Sequence, residues 1–204
     1  FMWKKIIVTI MCICFLFTDI SYVIADNTDN EDINVYEIIQ TCSKNVDKQP
    51  EIQSKIAVAY DRTSGRVIWG KDENKRSAMA STTKIMTAIV TLENANLDDI
   101  VTVSSKAAWT GGSSLNLKPG DKVKLNDLLY GLMLRSGNDA AVAIAEYVGG
   151  SVEGFADLMN QKAEQMGLVD THFVTPHGLD DPNHYTTAKE LAIMADYAMG
   201  NEKF

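Results

Sequence analysis

Residues 55–72, KIAVAYDRTSGRVIWGKD, set a condition that the rest of the chain has to meet. Ile56, Val58 and Tyr60 alternate with small residues, Ser64-Gly65 supplies a turn, and Val67-Ile68-Trp69 begins a return strand. That pattern predicts a β-hairpin. After it the apolar spacing is helical, with helices predicted over 81–96, 126–135, 138–148, 151–166 and 187–199. Gly167 is placed to end the fourth, and Thr187 and Glu190 have capping-box spacing at the start of the last. A two-stranded hairpin is marginal alone and needs further strands or a covering helix. The expected fold is therefore α/β (α+β): a helical body with an N-terminal hairpin, its sheet completed by strands missing from residues 1–204.

The first 25 residues stand apart from that domain. Lys4 and Lys5 precede the apolar run Ile6–Phe17, and Val23–Ala25 ends in a small residue before Asp26. This predicts a secretory signal peptide, its run too short to span a bilayer comfortably. Of 19 basic and 27 acidic side chains, Lys4, Lys5 and Asp19 fall in this segment, so its removal leaves a net charge of −9. No basic patch is visible, which argues against a nucleic-acid partner. Cys12 and Cys14 would leave with the signal peptide, so Cys42 alone remains and no internal disulfide is expected. Residues 26–50 read as an acidic, Asn-rich leader ending at Pro50, and 51–204 as the domain.

Within the domain, MASTTKIMTAIVTLENA (79–95) puts a lysine on the wrong side of its helix. At about 100° per residue, Lys84 projects some 60° from Ser81, beside Ala88, Thr91 and Ala95 and next to the apolar face of Ile85, Ile89 and Leu92. A serine hydroxyl becomes nucleophilic when a base removes its proton, and a lysine is a base only once burial or a nearby cation lowers its pKa. Ser81 also falls at the helix start, where the dipole favours developing negative charge. S-x-x-K alone is a weak signal, and by itself it reads first as a helix start with a lysine reaching to water. A second interruption adds weight. LLYGLMLRSGNDAAVAIAEYVGG (128–150) breaks a helical apolar pattern at Ser136-Gly137-Asn138. Read locally, that is a helix–helix turn with Gly137 as the left-handed C′ residue and Asn138 as the next N-cap.

Together these stretches resemble the low-molecular-mass serine penicillin-binding proteins, the D-alanyl-D-alanine carboxypeptidases, whose S-x-x-K and S-x-N motifs they carry. The resemblance also rests on IAVAYDRTSGRVIWGKDEN, GGSSLNLKPGDKVKLNDLLYGLMLRSGNDAAVAIAEYVGG, MNQKAEQMGL and FVTPHGLDDPNHYTTAKELAIMADYAM, in family order from about Ile56 to Met199. It implies a β-lactamase/DD-peptidase-like fold, Ser81 as the acylated nucleophile and Lys84 as its general base. Ser136 would relay a proton to the leaving amine, and Asn138 would position Lys84 and the substrate amide. Substrates would be peptidoglycan stem peptides ending in D-Ala-D-Ala, and β-lactams would trap the acyl-enzyme. No cofactor or metal is implied. The address would be the outer face of a bacterial cytoplasmic membrane or the wall, with membrane-surface association through a C-terminal region.

This sequence departs from the family pattern twice. Met79 stands where proline is usual before Ala-Ser, a change expected to alter only the entry to the helix. No K-T-G or H-T-G follows Asn138; Lys118-Pro119-Gly120 comes too early, and its proline could not donate in a central strand. The third motif is thus expected beyond Phe204 with the missing strands, and residues 1–204 alone are expected to be inactive. His172, His177 and His184 lie close in sequence but match no zinc spacing, and are read as residues holding a loop. Two other readings compete. A class A β-lactamase would need a glutamate for deacylation, and no E-x-x-L-N loop follows the S-G-N. A non-catalytic wall-binding relative would have little reason to keep all four polar residues.

Overall fold

The computed structural model describes residues 50–204; the predicted signal peptide, Cys42 and nearly all of the acidic leader lie outside the described residues. Gln53–Phe204 forms one compact unit. The hairpin forms as expected, β1 (Ala57–Asp61) antiparallel to β2 (Arg66–Lys71), with the register shifting between Ala59 and Tyr60. Its turn is built by Asp61, whose carboxylate accepts from the N–H groups of Thr63 and Ser64 and from Ser64 Oγ. Gly65, at φ +67°, closes it with an N–H bond to Asp61 O at 2.8 Å.

After a 3-10 turn (Ala80–Thr83) come α1 (Lys84–Asn94), β3 (Ile100–Thr102), α2 (Ser105–Ala108), β4 (Lys122–Lys124), α3 (Leu125–Arg135), α4 (Asn138–Gly149), α5 (Val152–Gln165) and α6 (Ala188–Met199). The five expected helices are all present; four keep within one residue of their predicted bounds, and the first begins at Lys84 rather than 81 because Ala80–Thr83 forms a 3-10 turn. The expectation that only helices follow the hairpin is corrected: β3 pairs antiparallel with β4 in a second small sheet, Val101 opposite Val123. Three residues, of which only Val101 is buried in β3, are too short for alternation to show in the sequence.

Helix α4 is the centre of the body. Its Ala140–Ala145 stretch is buried all round, and α1, α2, α3 and α5 pack against it. Four alanines in that run let these neighbours approach closely, and a helix apolar on every side belongs in a core. Gly149 is required where α5 crosses, because a Cβ there would lie 2.4 Å from Phe155 N. Met79 is itself buried in this core, so the residue replacing the usual proline also adds packing. Helix α6 supplies the cover the hairpin needs. It packs on β1, and Asp196 pairs with Arg62 beside the hairpin turn.

Helix ends follow local chemistry. Gly167 takes φ +71°, and Leu168 N–H bonds back to Ala163 O at 2.9 Å, ending α5 in a Schellman-like turn. Thr187 Oγ1 accepts from Glu190 N–H at 3.1 Å, but the expected capping box is only half formed. The Glu190 carboxylate turns away to accept from Asp170 N–H and Thr171 Oγ1, tying the segment before Tyr185 to α6.

Candidate active site

Ser81 sits in the 3-10 turn and is exposed, while Lys84 opens α1 and is 3% exposed. Lys84 Nζ donates to Ser81 Oγ at 3.2 Å, Asn138 Oδ1 at 2.8 Å and the His177 carbonyl at 3.0 Å. All three acceptors are neutral. Burial, with no carboxylate among the described residues bonded to the amine, pushes the Lys84 ammonium down to about 8. At pH 7 about one-tenth of the molecules then carry a free amine, against about 1 in 3,000 for an ordinary lysine. The buried lysine beside Ser81 anticipated from the helical spacing is therefore in place.

Ser136 comes from the end of α3, and its Oγ donates to Ser81 Oγ at 3.1 Å. The turn it occupies differs from the expected one by a residue. Ser136, not Gly137, takes the left-handed conformation (φ 56°, ψ 33°); Gly137 is extended, and Asn138 is the first residue of α4 rather than its N-cap. Left-handed backbone costs a non-glycine residue about 1–2 kcal/mol. Gly137 is glycine for another reason, since a Cβ there would lie 2.8 Å from Leu115 Cγ and 2.9 Å from an Asp139 carboxylate oxygen. The strained turn points the Ser136 hydroxyl at Ser81 Oγ.

Asn138 is 4% exposed with both ends of its amide used. Oδ1 receives Lys84, and Nδ2 donates to Gly111 O at 2.7 Å. Its backbone N–H donates to Ser113 O at 2.7 Å, fastening the segment 111–117 to the start of α4. All four residues singled out from the sequence thus converge.

Two contributions to the frame of the site were not read from the sequence. The His177 carbonyl, a backbone group, leaves no trace there. Asp139 is fully buried and accepts from Ser114 Oγ, from the N–H groups of Leu115 and Leu117, and from its own neighbour Ala140. Burial alone would raise its pKa; those donors outweigh it and hold the carboxyl below the usual range. An acid directly after S-G-N and before AAVAIA was the available signal. Of the three histidines, His184 has Nδ1 accepting from Val174 N–H at 2.9 Å and Nε2 at 2.7 Å from Thr83 Oγ1. His177 Nδ1 accepts from Leu179 N–H, and burial, with smaller repulsion from Lys84 and His184, pushes that ring down to about 4. The His172 ring lies 2.6 Å from Asn183 O. Each ring ties down part of the 172–184 segment, the loop role inferred for them.

An exposed serine backed by a buried, neutral-prone lysine, with a second serine and an asparagine closing the ring, sits here in a helical body covered by a hairpin. The chain matches the peptidase S11 family, described as D-alanyl-D-alanine carboxypeptidase, over residues 21–203, and it belongs to that family. Among similar proteins, D-alanyl-D-alanine carboxypeptidase DacF of Bacillus subtilis is 42% identical over 148 residues, covering 70% of this chain and 38% of that one. DacC of Escherichia coli is 37% identical over 174 residues, covering 76% and 44%. The crystal structure of DacD from Francisella tularensis superposes with a TM-score of 0.72 at 37% identity, over 79% of this chain and 43% of that one. A Streptomyces K15 DD-transpeptidase mutant gives 0.73 at 37% identity, over 76% and 65%. The fold is thus the DD-peptidase, penicillin-binding fold, and the chain spans less than half the length of these two curated relatives.

Proposed function

We propose that the protein carrying this domain is a serine-type D-Ala-D-Ala carboxypeptidase acting on peptidoglycan stem peptides. The neutral Lys84 amine takes the Ser81 proton as Oγ attacks the penultimate D-Ala carbonyl. The C–N bond then breaks, the terminal D-Ala amine receives a proton through Ser136, and the acyl group stays on Ser81. Water, deprotonated by the same amine, hydrolyses the ester and returns Ser81 to its hydroxyl form. Asn138 holds Lys84 in register through Oδ1. β-Lactams would enter the same acylation step and stall there. The reading includes a third motif, K-T-G or H-T-G, which does not occur between Asn138 and Phe204. The leader pattern of residues 1–25 supports export to the outer face of the membrane.

The observation that carries the reading is the hydrogen-bond set of Lys84: a buried amine reaching Ser81 Oγ with only neutral acceptors around it. Among the described residues no carboxylate hydrogen-bonds Ser81, Lys84, Ser136 or Asn138, which favours slow release of a bound penicillin over rapid β-lactam hydrolysis. The test is labelling of the complete protein with a fluorescent penicillin, alongside release of D-Ala from a pentapeptide. Lys84→Ala and Lys84→Arg should abolish both while the circular dichroism spectrum is kept. Labelling of Lys84→Ala at the wild-type rate would remove Lys84 from the chemistry.

A further inference from the structure

His184 lies outside the Ser81–Lys84–Ser136–Asn138 set, yet it is 3% exposed and both ring nitrogens are engaged. Because Nδ1 accepts from Val174 N–H, the proton of the neutral ring is on Nε2. The other end of the contact gives the same answer. Thr83 Oγ1 is 2.7 Å from Ala80 O, which can only accept, so the threonine hydroxyl directs its proton there. Nε2, 2.7 Å away, must then donate to Thr83 Oγ1. A directed chain results, from Val174 N–H through His184 and Thr83 to the carbonyl of Ala80.

That carbonyl belongs to the residue immediately before the nucleophile. Ala80 has φ +47°, in the left-handed region that is strained for a non-glycine residue, so its conformation has to be held from outside. The loop carrying His184 presses on the same point: a Cβ at Gly178 would lie 1.9 Å from Ala80 O and 2.6 Å from Thr83 Oγ1. It also carries the His177 carbonyl that receives Lys84.

We propose that His184 is a positioning residue for the reaction, its Nε2–H acting through Thr83 to hold the Ala80–Ser81 turn so that the Ser81 hydroxyl stays beside Lys84. The inference rests on the acyl-serine chemistry proposed above. Burial lowers the His184 pKa from its ordinary 6.5, with Asp181 opposing and His172 adding to the shift. The ring also neighbours His177, which Lys84 faces in turn, and the edge of Phe173. The imidazole is therefore neutral at pH 7. A proton added to Nδ1 in acid would confront the Val174 N–H donor and break the chain.

The experiment is the pH-dependent rate of acylation of the complete protein by a fluorescent penicillin, in wild type, His184→Gln, His184→Asn, Thr83→Val and the His184→Asn/Thr83→Val pair. Glutamine presents an N–H near the Nε2 position; asparagine presents an acceptor near Nδ1 but no donor that reaches Thr83. His184→Gln should stay within about threefold of wild type. His184→Asn and Thr83→Val should each be about 10- to 100-fold slower, as small misplacements of a nucleophile are. The pair should be no slower than its slower member, because both break one chain. Below pH 6.5 the wild-type rate should fall more steeply with acid than that of His184→Gln, which has no ring to protonate. Wild-type labelling with Thr83→Val unchanged would overturn the positioning role alone. Equal slowing by glutamine and asparagine would also overturn it, since a merely packed ring predicts that result. A wild-type protein that is not labelled at all would instead overturn the acyl-serine reading on which the inference rests.

Discussion

Raising the pH through the Lys84 titration is the perturbation that tests this site most directly. The amine must be unprotonated to accept the Ser81 proton, and its pKa is lowered to about 8 by burial. The sign follows: acylation should be slow in acid, rise with pH, and level off above about pH 8. The neutral fraction is about 1% at pH 6 and about half at pH 8, so the rate should climb about 50-fold across those two units. From pH 9 to pH 10 it should change by only about 10%. An ordinary lysine titrating near 10.5 would instead give about a tenfold rise per unit all the way to pH 10. The assay is the second-order rate constant for acylation by a fluorescent penicillin, quenched in denaturant, from pH 6 to pH 10, with circular dichroism to show that the fold persists. A rate still rising tenfold between pH 9 and pH 10 would show that burial does not depress the amine. A rate flat from pH 6 to pH 9 would show that Lys84 is not the base.

Two further substitutions test the frame around the site. Asp139→Asn removes charge and acceptor capacity from a group serving Ser114, Leu115, Leu117 and Ala140. It should cost about 2–3 kcal/mol, read as a Tm about 4–12 °C lower; an unchanged Tm would mean those bonds contribute little. Because the folded carboxyl lies below its ordinary 3.8, its stabilisation is present above that value and is lost as acid carries the pH through the lower folded pKa, a dependence the variant should lack. Gly178→Ala places a methyl group 1.9 Å from Ala80 O at a backbone φ of +82°. It should reduce penicillin labelling at least about 100-fold by displacing the Ser81 turn, and a variant labelled at the wild-type rate would refute the close packing on which that rests.

Helices of ten or more residues were legible because burial imposes a spacing that the chain repeats over several turns, as in Leu125–Arg135. The β3–β4 pair was not, because strands of three residues with one inward side chain carry no period to detect. At the candidate site, Lys84, Ser136 and Asn138 could be picked out as polar residues set into or beside apolar helical patterns and Ser81 by its S-x-x-K spacing, while their roles came from the family resemblance. The left-handed residue was misplaced at Gly137, since glycine is the residue on which that conformation costs least. The structure uses Gly137 for room beside Leu115 and leaves the strain on Ser136.

What the sequence determined by itself was the local order: which segments become helices, where Gly167 and Thr187 bound them, and that Lys84 follows Ser81 on one side of a turn. These are properties of neighbours along the chain, set by sterics, capping and periodicity. What only the tertiary structure decided was the environment of those groups. The Lys84 ammonium becomes a stronger acid than an ordinary lysine because α4, which brings Asn138, and the loop before α6, which brings the His177 carbonyl, bury it among neutral acceptors. Ser81 is held by a histidine about a hundred residues away, through one threonine hydroxyl. Desolvation and hydrogen-bond direction depend on everything packed around a group, so no stretch of sequence specifies them alone.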